Sequence, residues 1–331
     1  MTTEIPKVNS LEERVFNITN DKQFVEIALE IYNYQYNNNL IYKDYCNQIK
    51  RTPITVQTIE QLPFLPISFF KSHDVKTGEW LPEITFTSSG TTSHNTSKHQ
   101  VKDLLIYENS FLLQFEAVYG KVDELCIIGL LPSYLEREGS SLVYMVNKLV
   151  KLSNQPSSGF YLYDHESLRD NLLQLEKHRQ KTILFGVTYA LLDFASTYSF
   201  PLVHTTIIET GGLKGRKEEI TRDELYIQLK QAFNLSTIDA EYGMTELLSQ
   251  AYGKDGQYTC APWMKVLFRD ETDPLSLKEE GGVINIIDLA NVHSCSFIAT
   301  DDLGKKASKD SFSILGRVDN ADIRGCSLLI T

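Results

Sequence analysis

From about residue 84 the chain alternates short apolar runs with helical periods, and this alternation restricts its fold more than any other feature. Ile84 to Thr87 reads as a short strand, and Ser110 as the cap of a helix beginning at Phe111. Leu125 to Leu131 reads as a buried strand ending at Pro132. Ser140 and Ser141 precede Leu142, Met145, Val146 and Leu149, which share one helical face. Phe160 to Tyr163 reads as a strand, and Leu168, Leu172 and Leu175 mark the next helix. Thr182 to Phe185 and Val203 to Ile208 follow as strands around a helix near Tyr189 to Phe194. Thr221 and Glu224 form a capping box that opens another helix. Strands separated by helices predict a largely parallel α/β sheet layered between helices.

The flanking regions read differently. Phe24, Ile27, Ala28 and Ile31 recur at helical spacing, and the Tyr- and Asn-rich stretch to Asn39 ends that helix. Pro53, Pro63 and Pro66 then break the chain, and "LPFLPISFFKSH" reads as an extended connector with apolar anchors. After about residue 257 the helical periods vanish. Met264 to Arg269, Val283 to Asp288, Cys295 to Thr300 and Ser311 to Leu315 read as strands between Gly, Asp and Asn turns. The expected division is residues 1–83 as a helical region and connector, 84–256 as the α/β body, and 257–331 as a smaller β-rich part.

Net charge is -11, so nucleic acid and anionic lipid are poor bulk partners, and a small anionic ligand must be held by local donors. The run from Leu125 to Leu131 is too short to span a bilayer. The five cysteines are scattered, with no CxxC pair or zinc spacing. The first residues carry neither a basic nor an apolar leader pattern, so a reducing cytoplasm is the expected compartment.

Three motifs carry chemistry. "FTSSGTTSHNTSKH", residues 86–99, follows a strand and can aim N–H groups and hydroxyls at phosphate oxygens, with Lys98 adding charge. It lacks the GK[ST] of a Walker A loop, and alone it reads equally as a polar linker. "EYGMTE", residues 241–246, sets Tyr242 and Gly243 where a ring can lie on a purine while the backbone comes close. Its Thr245 and Glu246 suit a phosphate and Mg²⁺, although such a hexapeptide alone is more often an ordinary turn. "TDDLG", residues 300–304, precedes "LGRVDNADIRG". There a carboxylate can accept ribose hydroxyls and an Arg can reach ribose or phosphate, or both can be solvated turns. His94 and His99 flank the first loop without an evident triad partner, and Ser140 reads as a plain cap.

Taken together and in this order, the motifs resemble those of the acyl-adenylate-forming superfamily, from about residue 84 to the C-terminus. Within it the chain is most similar to the LuxE-type acyl-protein synthetases of bacterial bioluminescence, themselves related to phenylacetate–CoA ligases. "LPSYLEREGSSLVYM", "FGVTYALLDF", "ETGGLKGR", "EYGMTELLSQAY" and "DIRGCSLL" carry that likeness across most of the chain. The resemblance implies the αβα body of an adenylate-forming N-terminal domain, with the β-rich part completing the site and the usual mobile C-terminal domain absent. It implies ATP-dependent activation of a carboxylic, expectedly fatty, acid to acyl-AMP, then transfer to a thiol, with ATP and Mg²⁺ as cofactors. Ser89, Gly90, Thr91 and Thr92 would form the phosphate loop. Gly211 and Gly212 would line the adenine site with Tyr242. Thr245 would contact the α-phosphate, Glu246 would hold Mg²⁺, Asp302 would bind the ribose hydroxyls, and Arg317 would sit near ribose and phosphate.

The chain also departs from the superfamily's pattern. Ser93 replaces the usual Gly after the Thr pair, the Pro is missing, and Lys98 comes about two places late. Thr300-Asp301-Asp302 stands where many members read T-G-D. Without the mobile domain, acyl-CoA synthesis by domain rotation is in doubt. LuxE-type enzymes carry the acyl group on a cysteine near the C-terminus, a position that Cys326 matches, although a small buried residue in a last strand is the plainer reading. Expected partners are the acid and, as acceptor, an acyl reductase, an acyl carrier protein or CoA. The acyl pocket is expected between the α/β halves, near Tyr134, Phe185 and Tyr189. An ATP-independent acyltransferase or carrier-protein partner, and a non-catalytic nucleotide-binding module, are the alternatives.

Overall fold

A computed structural model describes residues 10–88, 96–132, 139–210 and 221–318. The chain opens with helices α1 (Leu11–Phe16), α2 (Asp21–Asn38) and α3 (Leu40–Gln48). Asn20 caps α2 by accepting from the Gln23 N–H, and Phe24, Ile27, Ala28, Ile31 and Gln35 form its buried stripe. The Tyr- and Asn-rich stretch supplies the last turns of α2. The proline-rich connector is less extended than expected, pairing only at β1 (Leu65–Pro66) before one helical turn, α4 (Phe69–Ser72).

Strands β2 (Ile84–Thr87) and β3 (Lys98–Val101) form an antiparallel hairpin of their own, outside the main sheet. Helix α5 (Leu104–Tyr119) starts seven residues before the expected Phe111. Asp103 is its cap, and Ser110 lies mid-helix, where its buried hydroxyl meets Ser249 and Trp263 instead. Then come β4 (Cys126–Leu130), α6 (Ser141–Leu152), β5 (Gly159–Phe160), α7 (His165–Lys177), β6 (Thr182–Val187), α8 (Thr188–Thr197), β7 (Thr205–Thr210), α9 (Arg222–Phe233) and β8 (Asp239–Tyr242). Ser140 caps α6, and Thr221 with Glu224 forms the capping box of α9, as expected. The strand expected to reach Tyr163 stops at Phe160, because the chain turns there and Asp164 caps α7.

Strands β4 to β8 pair in parallel, and their alternating side chains make two cores. Ile127, Ile183, Phe185 and Ile208 point to one face with Phe111 and Phe115 of α5 and Met145 of α6. Ile128, Leu184 and Ile207 point to the other with Leu168 of α7, Leu191 of α8 and Leu225 of α9. The result is the expected αβα layering.

The remaining strands are β9 (Ala251–Lys254), β10 (Gln257–Cys260), β11 (Met264–Arg269), β12 (Leu277–Lys278), β13 (Gly281–Asp288), β14 (Phe297–Lys306) and β15 (Ser311–Arg317). They extend the same sheet antiparallel from β8, in the order β8-β9-β10-β15-β14-β13-β11-β12. The strand expected from Cys295 begins at Phe297, since Gln35 of α2 binds the preceding segment at Asn291, Val292 and Ser296. No helix among the described residues is long and apolar enough to cross a membrane.

Candidate functional site

The parallel strands end on a common edge, and Tyr242, at the end of β8, meets Asp302. Residues 89–95, between β2 and β3, lie outside the described residues. The base of the β2–β3 hairpin is closed by Ser88 and Ser97, which bond through the Ser97 N–H to Ser88 Oγ and the Ser88 N–H to the Ser97 carbonyl. Lys98, at that base, is exposed. Beside it, Gly139 sits with φ +85°, and its carbonyl accepts from the Thr87 N–H at 2.8 Å. A side chain there would be strained in backbone and pressed on the Thr87 hydroxyl.

On β8, Tyr242 points its hydroxyl at Asp302 Oδ2 of β14, 2.8 Å away. Arg317 of β15 donates from Nε to the other oxygen, Oδ1, at 2.7 Å. Asp302 and Arg317 are direct cross-strand partners, so register makes this pair. Each oxygen accepts one protein donor and keeps further acceptor capacity for ligand hydroxyls. Asp302 is buried, whereas the Arg317 side chain is 53% exposed and can reach solvent or a ligand. The Tyr242 ring packs against Tyr258 and Phe312 at 5.8 and 5.7 Å and is only 9% exposed, which limits its contact with a purine to a small surface. Burial, then the Asp302 charge, pushes its phenol far above the ordinary value, so it remains a proton donor.

Three residues on, the chain turns at Thr245 and Glu246, and side chains from elsewhere fix that turn. His99 donates from Nδ1 to the Thr245 carbonyl at 2.8 Å; a carbonyl only accepts, so Nδ1 carries the ring proton. Burial lowers the His99 pKa to about 4 against this bond, leaving the ring neutral at ordinary pH. Asn291 donates from Nδ2 to the Glu246 carbonyl at 2.9 Å. Asp288, at the end of β13, accepts from the N–H groups of Leu248, Ser249 and Ala290 at 2.8, 3.0 and 3.2 Å and from the Ser249 hydroxyl at 2.5 Å. Ser249 in turn meets Ser110 and the Trp263 indole, both at 3.0 Å. Thr245 stays partly exposed, while Glu246 is buried.

A second acidic feature lies beside Gly243, the motif's single glycine. The Glu241 carboxyl accepts from the Thr210 hydroxyl, and a Cβ on Gly243 would collide with it. Burial raises the Glu241 pKa to about 7, with the Thr210 bond opposing and Glu209 adding. Glu209 itself accepts from Thr188 at 2.5 Å.

The structure therefore brings together Tyr242, Gly243, Asp302 and Arg317, and it ties the Thr245–Glu246 turn to the hairpin of Lys98 through His99. Ser89, Gly90, Thr91, Thr92, Gly211, Gly212 and Cys326 lie outside the described residues, as does Tyr134. Phe185 is fully buried and stacked on Phe115, so it is core rather than pocket wall, and Tyr189 is on the surface. Sequence reasoning passed over four residues. Glu241 and His99 sit inside quoted motifs without a role, and Asp288 and Asn291 carry no local signal. No three His, Cys, Asp or Glu side chains gather as a metal cage among the described residues. A single carboxylate such as Glu246 suits Mg²⁺ shared with phosphate oxygens.

Comparison with known proteins gives the fold and the family. The solved structure of ATP-bound MatB from Rhodopseudomonas palustris matches 70% of this chain and 47% of its own, with TM-score 0.51 and 17% identity. That of the long-chain-fatty-acid-CoA ligase FadD1 from Archaeoglobus fulgidus matches 71% and 51%, with TM-score 0.51 and 16% identity. The chain spans about half the length of these structures, and the likeness shows a shared fold. A curated relative, the long-chain-fatty-acid–luciferin-component ligase of Vibrio harveyi, is 23% identical over 334 residues, covering 90% of this chain and 84% of the relative. The family model described as acyl-protein synthetase, LuxE, matches residues 11–331, and the chain belongs to that family.

Proposed function

We propose that the chain condenses a long-chain fatty acid with ATP to give acyl-AMP and pyrophosphate, then passes the acyl group to a thiol. The observation that carries this is the meeting of Tyr242, Asp302 and Arg317 beside the Thr245–Glu246 turn. One carboxylate there can accept two hydroxyls of a ribose, and a half-exposed guanidinium stands next to it. The substrate carboxylate attacks the α-phosphorus, and the bond to the β-phosphate oxygen breaks with its electron pair leaving on pyrophosphate. Thr245 contacts the α-phosphate, while Lys98, Arg317 and the loop of Ser89, Gly90, Thr91 and Thr92 face the phosphates and offset the charge that builds there. Gly211 and Gly212 border the adenine with Tyr242. Glu246 is the residue that would hold Mg²⁺, whose chemistry when bound is to neutralise phosphate charge.

A thiolate then attacks the acyl carbon and AMP leaves. Four of the five cysteines are poor candidates for that thiolate. Cys46, Cys126 and Cys295 are buried and Cys260 partly so, and burial raises the pKa of all four, to about 12 for Cys260 and Cys295. That elimination, with the family's habit, favours Cys326, with an acyl reductase, a carrier protein or CoA as the next acceptor. The test is exchange of label between pyrophosphate and ATP with a panel of fatty acids. Acid-dependent exchange is expected, and its absence with every acid rejects adenylation. With labelled fatty acid, hydroxylamine-labile labelling of the protein that Cys326→Ser abolishes, exchange being retained, is expected if Cys326 is the acceptor.

A further inference from the structure

The carbonyls of Thr245 and Glu246 are consecutive, and each is held by a side chain from a distant part of the chain. His99 reaches one from β3, next to Lys98 at the base of the phosphate hairpin. Asn291 reaches the other from the segment between β13 and β14. Both side chains are buried, at 1% and 0% exposure, so neither bond competes with water. Just downstream, Asp288 holds the N–H groups of Leu248 and Ser249. The backbone that carries Thr245 and Glu246 is thus held by buried side chains from other elements.

We propose that His99 and Asn291 are positioning residues, which tie the Thr245–Glu246 turn to the base of the phosphate hairpin and to the segment between β13 and β14 respectively, and so fix where the Glu246 carboxylate can meet a cation. The proposal rests on the adenylation reading above and adds to it a cause for the geometry of the metal-binding residue. Donor and acceptor chemistry allows one arrangement at each bond. The Thr245 carbonyl requires the proton on His99 Nδ1, and the Glu246 carbonyl requires the Asn291 amide nitrogen. That leaves Asn291 Oδ1 buried on the far side without a hydrogen-bond partner among the described residues. His293 Nε2 faces Glu12 Oε1 at 2.8 Å, and its buried Nδ1 is likewise without a partner among the described residues. His99, Asn291 and His293 line one cavity of about 10 Å³, room for about one water.

The proposal predicts a specific failure. Loss of either donor should loosen the carboxylate rather than the binding of acid. The experiment measures acid-dependent pyrophosphate exchange against Mg²⁺ concentration for wild type, Asn291→Ala, His99→Leu and His99→Asn, with thermal melting to confirm folding. In Asn291→Ala and His99→Leu the half-saturating Mg²⁺ should rise about 10-fold or more, with the KM for acid unchanged. His99→Asn restores an amide donor near the position of Nδ1 and should recover most of the loss. Unchanged Mg²⁺ dependence in both loss variants overturns the proposal. So does a uniform fall in rate with no Mg²⁺ shift and no recovery by Asn. Should His99→Leu not fold, Asn291→Ala and His99→Asn carry the comparison. If wild type shows no exchange, adenylation is rejected, and positioning is read from calorimetry of Mg²⁺·ATP binding. The same Mg²⁺ shift there supports the lock, and its absence, or no Mg²⁺·ATP binding by wild type, overturns it.

Discussion

Asp302 holds a buried negative charge between a phenol and a guanidinium, an arrangement stable only while both donors stay in place. Asp302→Asn keeps the shape and removes the charge, and should weaken ATP binding by about 1–3 kcal/mol. Calorimetry returning the wild-type affinity would remove the ribose assignment. Glu241 behaves in the opposite sense. Its folded pKa, raised by burial to about 7 from an ordinary 4.5, means the native state takes up the proton first. Its contribution to stability is full below about pH 4.5 and is lost as pH rises through 7, on the order of 3 kcal/mol in all. Glu241→Gln mimics the protonated form, so its stability relative to wild type should climb over that window in denaturant melts; a flat difference refutes the assignment. Tyr242, Asp302 and Arg317 were legible because they stand in short motifs. His99 was not, because its target, Thr245, is 146 residues away and nothing near His99 announces it.

Among the elements, the turn after β8 depends on a buried neighbour at the end of β13. Asp288 offers a buried carboxylate to four donors, which offset its desolvation. Asp288→Asn turns an amide N–H₂ toward some of those donors and should cost about 2–3 kcal/mol of unfolding free energy. Equal stability in denaturant titrations would show that the carboxylate is not what holds the turn. The strands of the body were readable from sequence because parallel strands covered on both faces are continuous apolar runs, as in β4 and β6. The start of α5 was misread because Ser110 is a cap residue by type. Its partners, Ser249 and Trp263, lie far away in sequence, and the true cap, Asp103, sits before a helix whose apolar stripe is blurred by extra leucines.

For the molecule as a whole, the parallel strands and the later antiparallel strands share one hydrogen-bonded sheet, joined through β8, β9, β10 and β15. The loss of helical periods after about residue 257 sets the two regions apart in sequence, yet their continuity rests on β10 pairing with β15 across an intervening hairpin and more, which no local pattern reports. That sheet fixes Arg317, and Cys326 stands nine positions further on, with eight residues between them. Whatever conformation they take, their contour is at most about 30 Å. A thiol leashed within that radius faces the ribose carboxylate at an effective concentration on the order of 10 mM. Dilution cannot change this number. Self-acylation through Cys326 should therefore follow first-order kinetics, with a half-time unaltered by a hundredfold dilution of enzyme at saturating ATP and acid. A rate that falls in proportion would mean that the acyl group passes to the thiol of a second molecule.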